Sequence, residues 1–377
     1  MNELKYRTLL ETLKKDILGG KYNSGSSFPS IRALVRRHGL SKNTVQHAID
    51  ELTHQGLISR TQGRGTFVTR EGAQRKLGVI VPRHAYSEIF PRIIGEFSRL
   101  AQKGGYTLLF GDITAAKPEQ RAKAAKKLAK EFVAEGVAGV MFQPIEYLSD
   151  AERLNGEVLG IFDKAGVAVV LCDYDIVPAP RRSKYDLVGI NNVEAGAAMA
   201  DYLFNAGAKK ISVLIRPNAP LSHQNRVRGA QIAAKLGADK APKIRVLEAE
   251  PDNLSAIRRH LKTFRPNAFL CGNDAIAAHL RQTLEKLKVR VPEDVMLAGF
   301  DDISIAPLML PPLTTMHLPC EGIAEAVFNR LLNRIANPML PTAEVHLDAA
   351  LVERDSVRPV GTLLVGTNGN KDKTGKV

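Results

Sequence analysis

The chain has 377 residues, too many for one ordinary hydrophobic core, so two to three domains are expected. Its composition, 44% hydrophobic and 24% charged, is that of a soluble globular protein, and no stretch approaches the ~18–20 uninterrupted apolar residues of a membrane span. The net charge of +14 is uneven: about 14 Lys and Arg against about 6 Asp and Glu fall in residues 1–76, a basic excess that favours a polyanionic partner by counterion release.

The N-terminus, Met1-Asn2-Glu3-Leu4-Lys5-Tyr6, lacks the apolar core and small-residue cleavage site of a signal peptide. Cys172, Cys271 and Cys320 lie far apart, which suits buried, inert thiols in a reducing cytoplasm. Leu9, Leu10, Leu13, Ile17 and Leu18 recur at helical spacing up to Gly19-Gly20. After the turn-rich Asn23–Ser27, Ser30 is an expected N-cap, and Ile31, Leu34 and Val35 form the inner face of a second helix. His38-Gly39-Leu40 breaks that helix and Ser41 caps a third. In the third, Val45, Ala48, Ile49 and Leu52 face inward and Lys42, Asn43, Gln46, His47 and Asp50 face outward. Leu57–Arg60 and Thr66–Thr69 then read as two short strands joined by Gln62-Gly63-Arg64-Gly65. A helix, a helix-turn-helix and a hairpin wing in that order specify a winged helix, whose recognition helix enters the major groove.

This segment closely resembles the GntR family of bacterial regulators. The resemblance rests on Phe28-Pro29-Ser30-Ile31-Arg32, Leu40-Ser41-Lys42-Asn43-Thr44-Val45, Glu51–Ile58 and Gln62–Val68, and it covers nearly all of residues 4–69. It implies DNA contacts from Arg32, from Ser41, Lys42, Asn43 and Thr44, and from Arg64 and Gly65. Gln46 joins them as an outward residue of the same helix. The usual Ser-Arg-Thr-Thr-Val-Arg is Ser-Lys-Asn-Thr-Val-Gln here. Arg suits bidentate reading of guanine and Gln that of adenine, so an altered operator is expected. A solvated helix face is the plainer alternative for Lys42, Asn43, Gln46 and His47 taken singly. Arg36 and Arg37 suit phosphate contacts or solvent.

Residues 1–70 are thus the expected DNA-binding domain and 71–76 a short polar linker. From Leu77, near-continuous apolar runs alternate with amphipathic ones: Leu77–Val81, Tyr106–Gly111, Val137–Gln143, Val167–Leu171, Leu187–Ile190, Ile211–Ile215, Ile244–Leu247, Ala268–Cys271 and Val295–Phe300. Nine such strands predict an α/β fold of two doubly wound lobes over residues 77–357, with a ligand held between the lobes at the strands' carboxyl ends. Residues 358–377 read as a mobile tail.

The larger part resembles the periplasmic-binding-protein-like effector domain of the LacI family. The resemblance is carried by Arg226-Val227-Arg228-Gly229, Phe269–Asp274, Gly299-Phe300-Asp301-Asp302, Pro311–Thr315 and Leu351–Ser356. It implies that Arg226, Asn273 and Asp301 bind a sugar or other small effector. Each has a structural alternative: Asn273 or Asp274 as a helix cap, with Asp274 the expected one, Asp301-Asp302 as a turn, and Arg226 as half of an ion pair. Tyr86 and Phe90 suit either a sugar ring or the core, and Asp112, Gln143 and Asp173 stand at strand ends. Leu318 replaces a glutamine often found in this family, so the familiar sugars are not assured.

Together these readings imply a ligand-responsive transcriptional regulator, a repressor relieved by a sugar-like effector, with double-stranded operator DNA as partner, acting as a cytoplasmic homodimer without membrane association. An aminotransferase fusion would need a longer chain, and an uptake protein would need a leader. No catalytic constellation, cofactor motif or metal-ligand spacing is visible, so no cofactor and no metal are expected.

Overall fold

The computed structural model describes residues 2–357 apart from 19–20, 23–25, 62–64, 70–74, 83–87, 112, 114–117 and 238–241. The expectations for Gly19-Gly20, Arg64, most of the linker, Tyr86, Asp112 and the C-terminal tail therefore lie outside the described residues. By contact the chain divides into two units: one runs to Gly189 and adds Cys320–Val345, and the other takes Ile190–Pro319 and the segment from His346.

The N-terminal part of the first unit is a three-helix head with a wing. It comprises α1 (Asn2–Leu18), α2 (Ile31–His38) and α3 (Lys42–His54), then β1 (Ile58–Thr61) and β2 (Gly65–Val68), which pair antiparallel. Its core includes Leu9, Leu13, Ile17, Leu34, Val45, Ile49 and Leu52, whose helical spacing marks the inner faces, closed by Phe28 before α2 and Val68 of β2. Both caps form as the sequence implies. Ser30 Oγ accepts from Ala33 N, and Ser41 Oγ accepts from Thr44 N at 3.2 Å. Gly39 ends α2 at φ 63°, a left-handed conformation that costs a side-chain-bearing residue more than glycine.

The rest of the first unit is a six-stranded sheet. Its strands are β3 (Arg75–Ile80), β4 (Tyr106–Phe110), β5 (Gly139–Phe142), β6 (Ala168–Cys172), β7 (Asp186–Ile190) and β13 (Glu344–Leu347), in the order β13-β7-β6-β5-β3-β4. The pairs from β4 through β7 are all parallel. Because alternate side chains leave a strand on opposite faces, β5 shows how the sheet is covered. Val140 and Phe142 join a cluster with Ala125, Phe132 and Phe162 of α5 (Pro118–Ala134) and α6 (Ala151–Ala165). A Cβ at Gly139, on the other face, would meet Leu331 of α11 (Cys320–Ala336). The sheet is thus covered on both sides, as near-continuous apolar strands require.

Asp186, at the start of β7, is buried and accepts from Arg330 at 2.8 Å, Arg334 at 2.9 Å and the Ala343 amide at 2.8 Å. Burial pushes its carboxyl up, but the bonds from Arg334, Arg330 and Ala343 outweigh it and hold it below the usual carboxylate range. A carboxyl depressed in the folded state adds stability above its unfolded value, near 4, and loses it as pH falls through the folded value. The stability gap between wild type and Asp186→Asn is therefore expected to narrow as pH drops from about 5 toward 2. Melting temperatures across that range test this, and a gap independent of pH overturns it.

The second unit holds a parallel sheet of β8 (Lys210–Ile215), β9 (Lys243–Glu248), β10 (Ala268–Cys271) and β11 (Met296–Ala298), in the order β11-β10-β8-β9. Its helices are α7 (Asn192–Asn205), α8 (Leu221–Leu236), α9 (Leu254–Phe264) and α10 (Asp274–Lys286), and β12 (Thr315–His317) pairs antiparallel with β14 (Ala350–Val352). α7 and α8 touch backbone to backbone. A Cβ on Gly229 would lie 1.9 Å from Val193 O, and one on Gly196 would lie 2.2 Å from Arg226 O. The segments around Thr314 and Ser356 are stitched together: Thr314 N donates to Ser356 Oγ, and Thr314 Oγ1 donates to Arg354 O, both at 2.8 Å.

Candidate functional sites

The head presents its polar residues as the helical period requires. Arg32 is exposed on α2, and Ser41, Lys42, Asn43 and His47 are exposed on α3, while Thr44 and Gln46 are half-buried. The Ser41 and Thr44 hydroxyls lie 2.8 Å apart. Gln46 Nε2 donates to Asp50 Oδ1 at 2.7 Å, and Arg60 of β1 reaches the same carboxylate at 3.0 Å. The His47 ring stands edge-on to Tyr6 of α1, 4.4 Å between centroids, which braces the exposed face of α3 from the first helix. Gly65 opens β2, exposed, at φ 111°.

In the second unit, Arg226 is buried in the first half of α8 with three hydrogen bonds. Nε donates to Asn192 Oδ1 at 2.9 Å, one terminal nitrogen to Gly272 O at 2.7 Å, and the other to Asp301 Oδ1 at 3.3 Å. Its guanidinium carbon lies 4.4 Å from the Phe300 ring centroid, a cation–π contact. Of the five N–H donors a guanidinium carries, two are left. Asp301 follows β11 with φ 105°, and Asp302 follows with φ 49°. Two adjacent non-glycine residues at positive φ are strained, a state that persists only where surrounding contacts over-determine it. The contacts are present: Asp302 accepts from Arg354 at 2.6 Å and lies 3.0 Å from His317 Nδ1, and Asp301 N donates to Met316 O at 2.9 Å.

A second buried carboxylate stands beside the first. Asp274 accepts from the Thr315 hydroxyl at 2.6 Å and the Ile303 amide at 3.2 Å. A Cβ at Gly299 would fall 2.2 Å from its Oδ1, which accounts for the glycine of the Gly299–Asp302 segment. Burial and the neighbouring Asp301 push the Asp274 carboxyl well above the usual range. Burial likewise raises Asp301, and the Arg226 charge and hydrogen bond only partly bring it back. The expectation that Asp274 caps α10 is corrected here. Asn273 is the cap, its Oδ1 accepting from Ile276 N at 3.0 Å, because it has extended backbone while Asp274 is already helical and turned inward. Arg226 and Asp301 nevertheless meet each other, Asn192 and the Gly272 carbonyl past the carboxyl ends of β10 and β11, with Asn273 next in the chain to Gly272 and its side chain turned to the helix cap.

Comparison with known proteins agrees at both ends of the chain. Residues 5–68 match bacterial regulatory proteins, gntR family, and residues 200–357 match the periplasmic binding protein-like domain. The chain joins a gntR-family head to a periplasmic binding protein-like domain. It is a ligand-responsive, DNA-binding transcriptional regulator, and its relatives are repressors. The arabinose metabolism transcriptional repressor of Geobacillus stearothermophilus is 25% identical over 84% of this chain and 86% of its own. The ribose operon repressor of Escherichia coli is 30% identical over 50% of this chain and 58% of its own. The crystal structure of a LacI family transcriptional regulator from Enterococcus faecalis with bound ribose shares the fold, with TM-score 0.62 and 22% identity over 76% of this chain and all of that one.

Three polar residues of the regulator were not singled out as site residues by sequence. Asn192 holds Arg226 from 34 residues away, a pairing set by the α7–α8 contact, and Asp50 gave no signal beyond facing outward. His223, one turn before Arg226, is buried, and burial with the nearby Arg226 and Arg216 charges holds its ring well below the usual range. Its Nδ1 has no hydrogen-bond partner among the described residues. At the ends of β5 and β6 in the first unit, Gln143 is buried, its Oε1 without a hydrogen-bond partner among the described residues, and Asp173 takes φ 85°. Phe90 is buried in the first turn of α4 (Ile89–Lys103). No group of three or more potential metal ligands occurs among the described residues, and no helix among them is long and apolar enough to cross a membrane.

Proposed function

We propose that the regulator is a repressor whose hold on its operator is released by a sugar-like molecule bound by Arg226, Asn273 and Asp301. The observation that carries this is the buried cluster past β10 and β11. A guanidinium with two free donors and a carboxylate with one uncommitted oxygen together suit the paired donors and acceptors of vicinal hydroxyls. Strain at Asp301 and Asp302 supports the same reading, since such backbone concentrates at binding sites. Relatives named for arabinose and ribose, and a fold neighbour carrying ribose, favour a pentose or a derivative of one. The protein acts by binding rather than by catalysis.

The domain limits that fit this reading are 1–70 for operator binding, 71–76 for the linker, 77–357 for effector binding and dimerisation, and 358–377 for a tail. Arg32, Ser41, Lys42, Asn43, Thr44, Gln46, Arg64 and Gly65 contact operator DNA. A cytoplasmic homodimer, without membrane association, sets two heads on a pseudo-palindromic site.

A thermal-shift screen of pentoses, hexoses and their phosphates tests the sensor. A true effector at about 100 times its Kd raises stability by about 2.7 kcal/mol, a shift on the order of 5–10 °C, and weakens operator binding. The shift is expected to vanish in Asp301→Asn. A panel that moves neither melting temperature nor operator affinity overturns the sugar reading. The head is tested separately: Asn43→Ala should cost about 1–3 kcal/mol of binding to the selected operator and little on random DNA.

A further inference from the structure

Asp50 belongs to none of the sites above, yet it lies where α3 and β1 meet. Its carboxylate takes a hydrogen bond from Gln46 Nε2 at 2.7 Å and lies 3.0 Å from Arg60. A carboxylate has no hydrogen to give, so Gln46 must turn its NH2 group toward Asp50, and its carbonyl oxygen is sent to the other side of the amide. A free Gln side chain has no such constraint, because its amide flips to suit whatever base edge it meets. Here one orientation is imposed from within the protein.

We infer that Asp50, steadied by Arg60, is a specificity-determining positioning residue that fixes the Gln46 amide with Oε1 outward. The inference rests on α3 as the operator-reading helix. An outward carbonyl oxygen requires an exocyclic amino group in the major groove, which adenine supplies at N6 and cytosine at N4. Adenine is favoured of the two, because its N7 accepts the second amide hydrogen. Guanine O6 and thymine O4 present oxygen to oxygen and are rejected. Arg60 keeps further N–H groups after bonding Asp50, enough to hold a phosphate at the same time, so the wing strand and the reading helix are set in one register.

A Gln–Asp pair four residues apart also steadies a helix in its own right. Base preference separates that plain role from the one inferred. Full-length wild type, Gln46→Ala, Asp50→Ala, Asp50→Asn and Arg60→Gln are each used to select from a fully randomised DNA duplex pool, and the bound pools are sequenced. Gln46→Ala is expected to erase the preference at one base pair per half-site. Asp50→Ala and Asp50→Asn are expected to relax discrimination against guanine and thymine at that same pair by about tenfold, with other positions kept. Arg60→Gln should produce a smaller relaxation there. If Gln46→Ala erases the preference while both Asp50 variants keep it, Asp50 only steadies the helix and the inference fails. If Gln46→Ala leaves every position unchanged, the reading of Gln46 fails with it.

Discussion

Arg226→Met is expected to destabilise the second unit by about 3–5 kcal/mol, the cost of removing one partner from a buried ion pair. The methionine keeps much of the side-chain volume and its contact with Phe300, so the loss falls on the polar partners. Asn192 Oδ1, Gly272 O and Asp301 Oδ1 all lose a donor at once. The most expensive is Asp301, whose carboxyl is already raised by burial with Arg226 beside it. Without that charge its folded-state pKa rises further above the unfolded value, so the folded state binds a proton the unfolded state releases. Stability in the variant is then highest at low pH and lost as pH rises through the folded value. Melting at pH 5 and pH 8 should show the variant gaining relative to wild type at the lower pH. Adding Asp301→Asn should recover part of the loss, and additive single effects would show that the pair is not coupled.

The second large effect concerns a single methyl group. Gly229→Ala is expected to destabilise the same unit by about 1–3 kcal/mol, or more where neighbouring backbone must move. In an ordinary helix interior this change stabilises by roughly 0.5–1 kcal/mol, so the sign decides the matter. The added carbon would sit 1.9 Å from Val193 O and 2.8 Å from Ala197 N, both backbone atoms with no rotamer to yield. α7 and α8 must then separate, and since Asn192 opens α7 and Arg226 lies on α8, their bond lengthens with them. Effector response should weaken together with melting temperature. Gly160→Ala, in α6 where nothing lies within 4 Å of the added carbon, is the control and should stabilise. An equal, stabilising response from both glycines would remove the close-contact argument.

The most legible strands are those buried throughout, while β4 and β9, which include exposed positions, still carry enough apolar residues to register. β5, β6, β8 and β10 are nearly all interior, so each is a continuous apolar run, and all nine expected strands form. The three that were missed lie late in the chain. β13 alternates exposed and half-buried residues over four positions, and β12 and β14 have three residues each. None of the three lies in an apolar run as long as Val295–Phe300, which marked the three-residue β11. In the head, apolar spacing and two serine caps located every helix, because those signals are local. At the buried cluster, motif resemblance found Arg226 and Asp301 but could not choose between adjacent Asn273 and Asp274. That choice depends on room for a carboxylate beside Gly299, 25 residues further on. Asn192 and Asp50 act through partners that only the folded backbone brings near.

The course of the chain through the two units also orders events at the ribosome. The head is finished after about 70 residues, a matter of seconds at roughly 5–20 residues per second. The six-stranded sheet must wait for β13, and Asp186 has no counter-charge until Arg330 and Arg334 have emerged. Throughout that interval a nascent regulator carries a complete DNA reader and an unfinished sensor. A chain broken off before residue 330 would keep the head but lose Arg330 and Arg334, the counter-charges of the buried Asp186, and with them the closing strand of the first sheet.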